Sequence, residues 1–287
     1  MINNYYEVQI SFNKNNYEAL YNNLYLNGIE NILEEEGFIK IYFDDSSLEK
    51  IDQLRESLLK EKIIGTKDFS FAKFENKNWN AEWENSIEPV YIRDKIIIYP
   101  SWKETGLKDA EDKITIEIDP KMSFGTGHNE TTQLVLELMS DYINGDEKKL
   151  LDFGTGTGVL TIAGLKLGVE RAVAIDIDDD AIENAKQYFQ KNSVYEKVEL
   201  IKSNIGELKE ESFDIICANI IRSVIVDNFN YINDKIVVNG KLFLSGILNC
   251  EDGIILELLY LNDFDIEDII SKTEWIGIYA IKRNRLT

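Results

Sequence analysis

Near the start of the chain, Tyr6, Val8, Ile10 and Phe12 alternate with polar residues, the two-residue period of a half-buried strand. A stretch of helical period over Tyr17–Leu26 stops at Asn27-Gly28, a common helix stop. Ile29–Leu33 and Phe38–Phe43 then read as two strands turned at Glu36-Gly37. Leu48, Ile51, Leu54, Leu58 and Leu59 return to helical spacing, and Asp68–Phe74 offers a final strand. The order β-α-β-β-α-β is that of the split βαβ unit, a small ferredoxin-like α+β domain over residues 1–75.

Residues 76–90 form a polar junction, in which Trp79 and Trp83 stand four apart and would share one face of a helix. Ile92–Tyr99 and Ile114–Ile118 read as a pair of strands flanking Pro100-Ser101-Trp102. From Leu150 onward, short apolar runs at 150–153, 171–176, 197–202, 213–219 and 241–246 alternate with helical segments. That alternation implies a doubly wound α/β domain over 91–287, its parallel sheet covered on both faces. The end of the chain breaks the rhythm. Phe264–Ile270 and Trp275–Lys282 are joined only by Ser271–Glu274, so the sheet should close with an antiparallel hairpin.

Composition narrows the setting. The 287 residues suit two domains, and no apolar run reaches the ~20 residues of a membrane span. The opening Met1-Ile2-Asn3-Asn4-Tyr5-Tyr6 has neither a basic nor an apolar signal region, and two cysteines are too few for a disulfide or cysteine-zinc framework. The expectation is a cytoplasmic protein with no metal. The formal charge of −21 divides into −6 for residues 1–75 and −15 for the rest, so neither part offers the basic surface that nucleic-acid binding relies on. An acidic surface favours a basic partner.

The densest chemistry lies at Leu150-Leu151-Asp152-Phe153-Gly154-Thr155-Gly156-Thr157-Gly158, between an apolar strand and a helix. Glycines there allow a sharp turn and let a ligand approach the backbone. Twenty-two residues after Gly154, Asp176 ends the next strand, where a carboxylate can accept hydrogen bonds from both ribose hydroxyls of an adenosine. Two cofactor types share this arrangement. The dinucleotide fingerprint is G-x-G-x-x-G, whereas G-x-G-x-G preceded by an acid resembles the S-adenosylmethionine loop of class I methyltransferases. The closing hairpin also fits the second type better.

Upstream, Asp119-Pro120-Lys121-Met122-Ser123-Phe124-Gly125-Thr126-Gly127-His128-Asn129-Glu130-Thr131-Thr132 resembles the D-P-x-x-x-F-G-T-G-x-H-x-T-T segment of the ribosomal protein L-eleven methyltransferase family (PrmA-type). Trp79 and Trp83, Pro100-Ser101-Trp102, Ala218-Asn219-Ile220-Ile221, Leu244-Ser245-Gly246-Ile247-Leu248 and Glu274-Trp275 extend the likeness over most of 76–287. It implies a seven-stranded, Rossmann-like methyltransferase sheet and a smaller domain that docks the substrate. It further implies an enzyme methylating lysine or N-terminal amino groups of a basic ribosomal protein, with S-adenosylmethionine as donor; a monomer is the expectation for its assembly. The cofactor residues carried over are Thr132, Gly154, Asp176 and Asn219, with Gly156 and Gly158 shaping the loop and Asn204 near the adenine. One position departs: the family's histidine falls on Asn129, while His128, the chain's only histidine, precedes it. The segment reads better as a frame for the methionine end of the cofactor than as a source of proton chemistry.

Methyl transfer from a sulfonium to an amine develops no oxyanion, so catalysis depends mostly on alignment. The amine must be neutral, against an ordinary lysine pKa of about 10.4, and a carboxylate beside it would hold the proton on. Asn219 suits the position because its side-chain carbonyl orients an amine without adding charge. Trp275 as a wall and Arg222 as a carboxylate holder are weaker candidates. The rival classes are a methyltransferase acting on a nucleic acid or small molecule, and a non-catalytic module that binds the same cofactor. The nucleic-acid rival wants Asn-Pro-Pro-aromatic, where this strand ends Asn219-Ile220-Ile221-Arg222.

Overall fold

A computed structural model describes residues 4–29, 32–74, 87–104, 107, 110–119 and 127–284. Trp79, Trp83 and residues 120–126 lie outside the described residues. The chain divides into two compact units, Met1–Ser86 and Ile87–Thr287.

In the first unit, β1 (Tyr5–Ser11), α1 (Tyr17–Leu26), β2 (Ile32–Glu35), β3 (Phe38–Asp44), α2 (Leu48–Lys60) and β4 (Phe69–Phe74) follow the expected order. The strands form one antiparallel sheet ordered β2-β3-β1-β4, the ferredoxin-like arrangement. Of the apolar run Ile29–Leu33, Ile29 belongs to the end of α1, where its N donates to Leu24 O, and residues 30 and 31 lie outside the described residues. Alternate residues of β1 and β3, Val8, Ile10, Ile39 and Ile41, meet Leu20, Leu24, Ile51, Leu54 and Leu58 of the helices in one core. The opposite face carries an exposed aromatic group, with the Tyr5 ring 6.0 Å from Tyr42 and 5.6 Å from Phe74.

The second unit opens with β5 (Val90–Ile92), β6 (Ile96–Tyr99) and β7 (Ile114–Glu117), a small sheet of its own. The expected single strand Ile92–Tyr99 is cut at Arg93, which takes φ +47 in the turn between β5 and β6. Next come α3 (Glu130–Tyr142), β8 (Lys149–Phe153), α4 (Val159–Lys166), β9 (Arg171–Asp176), α5 (Asp179–Lys191), β10 (Val198–Lys202), β11 (Phe213–Asn219), α6 (Arg222–Lys235), β12 (Ile236–Leu248), α7 (Asp252–Leu261), β13 (Phe264–Lys272) and β14 (Trp275–Lys282). Among the described residues the large sheet has seven strands ordered β10-β9-β8-β11-β12-β14-β13. It is parallel except at β14, which pairs antiparallel with both neighbours. Its strands are apolar on both sides because both faces are covered. Leu150, Ala174, Cys217 and Phe243 pack with Val135, Met139 and Ile162 on one face. Leu151, Ile175, Ile216 and Leu244 pack with Ile225, Phe229 and Ile255 on the other. The carboxyl ends of β8, β9 and β11, where strand order reverses, form the crevice in which such sheets hold ligands.

Candidate functional site

At the end of β8, Gly154, Gly156 and Gly158 take φ of +79, +55 and +82, a region that side-chain-bearing residues rarely adopt. A Cβ on Gly154 would overlap Ile220 Cγ2, and one on Gly158 would sit 2.7 Å from Phe189 Cζ. The bend is therefore close-packed from beneath as well as bare above. Gly154 N and Thr155 N both donate to Ile175 O, at 2.9 and 3.0 Å, stitching the bend to the end of β9.

Asp176 closes β9 and joins two loops: its Oδ2 accepts from Gly156 N at 3.0 Å and its Oδ1 from Asp178 N at 3.1 Å. Asp178 in turn caps α5 by accepting from Asp180 N. Ser203 N donates to Asp176 O at 2.9 Å, so β10 ends at the same place. Asn204 follows, but its side-chain oxygen is taken up within its own turn by Glu207 N at 3.1 Å.

Beneath the bend lies the acid that precedes the glycines in the motif. Asp152 is fully buried, and its Oδ2 accepts from Thr155 Oγ1, Thr161 Oγ1 and Thr161 N at 2.8, 2.7 and 3.2 Å. Its Oδ1 is buried without a hydrogen-bond partner among the described residues. Burial pushes its pKa up to about 6, against the three hydrogen bonds that lower it. A charged residue within the apolar run Leu150–Phe153 was the available signal.

At the end of β11, Asn219 Nδ2 donates to Thr132 Oγ1 at 3.1 Å, a bond between residues 87 apart. Thr132 is buried in the first turn and a half of α3. The turn after Asn219 is seated between a glycine just past β8 and one within β12, the strands on either side of β11. Gly154 receives the Ile220 side chain, while a Cβ on Gly246 (φ +82) would stand 2.7 Å from the Ile220 carbonyl carbon. Arg222 Nε lies 3.2 Å from Glu251 Oε2, an ion pair at the start of α6. Trp275 is half-buried at the start of β14, opposite Leu248.

Both flanks of residues 120–126 are fastened. Asp119 Oδ1 accepts from Ser101 N at 2.7 Å, its Oδ2 from Lys191 Nζ at 2.8 Å, and its backbone oxygen from Tyr188 Oη at 2.9 Å. Burial raises the Asp119 pKa, but the Lys191 ammonium and Ser101 outweigh it and hold the carboxyl below its usual value. On the other flank Gly127 lies against Ile98, and Gln133 Nε2 donates to the backbone oxygens of Gly127 and His128. His128 Nε2 is 3.2 Å from Glu88 O, and Asn129 stands exposed at the start of α3.

The fold thus gathers the Gly154–Gly158 bend, Asp176 and the Thr132–Asn219 pair at the ends of β8, β9 and β11. Among the described residues there is no cluster of three or more His, Cys, Asp or Glu that could hold a metal ion.

Comparison with known proteins agrees with this geometry. The family described as "Ribosomal protein L11 methyltransferase (PrmA)" matches residues 4–283. The ribosomal protein L11 methyltransferase of Chlorobaculum parvum is 34% identical over 98% of both chains. That of Acetivibrio thermocellus is 32% identical over 86% of this chain and 80% of its own. The crystal structure of a ribosomal protein L11 methylase from Lactobacillus delbrueckii subsp. bulgaricus superposes with a TM-score of 0.64 at 27% identity, covering 69% of this chain and all of that one.

Proposed function

The chain belongs to the ribosomal protein L11 methyltransferase family, and from that premise we propose that it transfers methyl groups from S-adenosylmethionine to lysine or N-terminal amino groups of that ribosomal protein. The observation that carries the donor's identity is the Asp176 carboxylate accepting from Gly156 N, in a bend whose three glycines all have positive φ. The fit of S-adenosylmethionine rests on three features of this chain. Asp176 offers two acceptor oxygens suited to a ribose diol. The bend is short of the spacing that cradles a pyrophosphate. The buried Asp152 Oδ1 leaves an unused acceptor beneath the bend, without a hydrogen-bond partner among the described residues. Gly154, Gly156, Gly158 and Asp176 would hold the adenosyl part, Asn204 would border the adenine, and Thr132 and Asn219 would frame the methyl end. Bound there, S-adenosylmethionine supplies a methyl group already activated on a sulfonium.

The chain's own part is alignment. Asn219 accepts an N–H of the incoming amine and aims its lone pair, adding no charge that would retain a proton on the nitrogen. Ionised acidic groups beyond the site draw a basic protein in without meeting the reacting nitrogen. The N-terminal unit is the docking module in this reading, supported by its exposed Tyr5–Tyr42–Phe74 face and net charge of −6 over residues 1–75. A ribosomal protein substrate supports placing the enzyme in the cytoplasm, and we take it to act as a monomer. No helix among the described residues is long and apolar enough to cross a membrane.

The test is turnover of a labelled methyl donor with purified ribosomal proteins, followed by mass spectrometry of the product. Incorporation of methyl groups into amines of the L11 protein is the expected result. Cofactor binding without transfer to any protein would overturn the assignment.

A further inference from the structure

Gln133 stands in α3 and is bonded at both ends of its amide. Its Oε1 accepts from Lys272 Nζ, and its Nε2 donates to Gly127 O and His128 O at 3.2 Å each. The sense of this amide is fixed by its partners, because an ammonium only donates and a carbonyl only accepts. A half-turn would set the amide oxygen against two carbonyls and the amide nitrogen against the ammonium. The main chain of Gln133 is held as well, its N donating to Asn129 O at 3.1 Å where α3 begins.

Gly127 and His128 are thereby pinned from two sides. Gly127, at φ +82, lies so close to β6 that a Cβ on it would stand 3.1 Å from Ile98 Cγ2. From the other side the Gln133 amide takes both carbonyls. Lys272 brings in a third stretch of chain: it ends β13, opposite Trp275, at the turn of the closing hairpin. That turn is anchored in its own right, with Asn249 N donating to Glu274 O at 2.8 Å and Asn249 Nδ2 to Thr273 O at 3.0 Å.

We propose that Gln133 is a positioning residue: its amide holds Gly127–His128 in the path that encloses the methionine end of the donor, and Lys272 of the hairpin fixes the sense of that amide. This rests on the methyl-transfer reading above, in which the motif ending at Thr132 frames that end of S-adenosylmethionine. Gln133 acts through two main-chain carbonyls rather than on the donor itself. The adenosyl part is assigned to Gly154–Gly158 and Asp176, on other loops, so a loosened Gly127–His128 is felt at one end of the ligand only.

The experiment compares wild type, Gln133→Met, Gln133→Glu, Lys272→Met and the double variant Gln133→Met/Lys272→Met. Calorimetry measures the affinity of each for S-adenosylhomocysteine and for methylthioadenosine, which keeps the adenosyl part and lacks the amino-acid end. Gln133→Met should bind S-adenosylhomocysteine about tenfold more weakly, roughly what two neutral hydrogen bonds hold, and methylthioadenosine within about twofold of wild type. Gln133→Glu keeps the size and the Lys272 contact but turns both donors into acceptors, and should show the same selective loss. Lys272→Met should lose about threefold for S-adenosylhomocysteine alone, and nothing further in the Gln133→Met background. A purely structural role would weaken both ligands together or neither. Equal losses for the two ligands, unchanged S-adenosylhomocysteine affinity in both Gln133 variants, or an additive effect of Lys272→Met would each overturn the assignment. Failure of the wild-type chain to bind S-adenosylhomocysteine overturns the functional reading, and this inference with it.

Discussion

Two aspartates twenty-four residues apart do opposite things at the crevice. Asp176 holds both loops by accepting from Gly156 N and Asp178 N. Asp176→Ala should therefore weaken S-adenosylhomocysteine binding by tenfold or more in calorimetry, as charge-assisted ribose contacts are lost. It should also lower stability by about 1 kcal/mol, because two backbone donors lose their acceptors. Asp152, by contrast, is held in a place that disfavours its charge, with a pKa raised to about 6. A carboxyl whose pKa is higher folded than unfolded binds protons more readily in the native state. Its contribution to stability is then complete below pH ~4, declines as pH rises to ~6 and is gone above that, a change of roughly 3 kcal/mol. Denaturant titrations of the wild type from pH 4 to 7 should show this downward component, and Asp152→Asn should remove it. An unaltered profile in the variant would place the ionised form of Asp152 on equal terms with the neutral one.

Among the elements, α5 ties the two ends of the site together. Its first turn is capped beside Asp176, and its last turn sends Lys191 to Glu117 and Asp119 at 2.8 Å each. Asp119→Ala removes the side-chain acceptor of Ser101 N and one of the two carboxylates on Lys191, and should cost about 1–2 kcal/mol in urea denaturation. Lys191→Met should cost less, because the ammonium is partly solvated. The elements themselves were legible in the chain wherever one period ran long enough: the βα alternation after Leu150, the closing hairpin and the β-α-β-β-α-β order all follow from it. Elsewhere a local turn overrules the pattern. Arg93 cuts an apolar run in two, and the end of α1 delays β2 past Ile29. The glycine bend and Asp176 were legible because their chemistry lies in short spacings. The Thr132–Asn219 bond, the Asp119–Lys191 pair and the seat of Ile220 were not, since each joins residues many tens of positions apart and no periodicity encodes it.

For the whole molecule, charge and division into two units make separate demands. A chain of −21 that captures a basic protein should do so with a KM that rises with ionic strength, while kcat and S-adenosylhomocysteine affinity change little. A salt-independent KM would remove electrostatic capture from the account. Residues 87–287, expressed alone, should still bind S-adenosylhomocysteine, since every side chain assigned to the donor lies there, and should lose transfer to the intact ribosomal protein. Retained transfer would leave the first unit without a docking role.

The seat of Ile220 has a consequence for how such a sequence can diverge. Positions 154, 220 and 246 come from three stretches of chain yet share one small volume. At 154 a smaller residue at 220 relieves the clash and leaves only the strain of φ +79, whereas bulk at 246 meets main chain, for which no substitution at 220 compensates. In a deep mutational scan the first pair should show epistasis, and the third position should be intolerant in every genetic background.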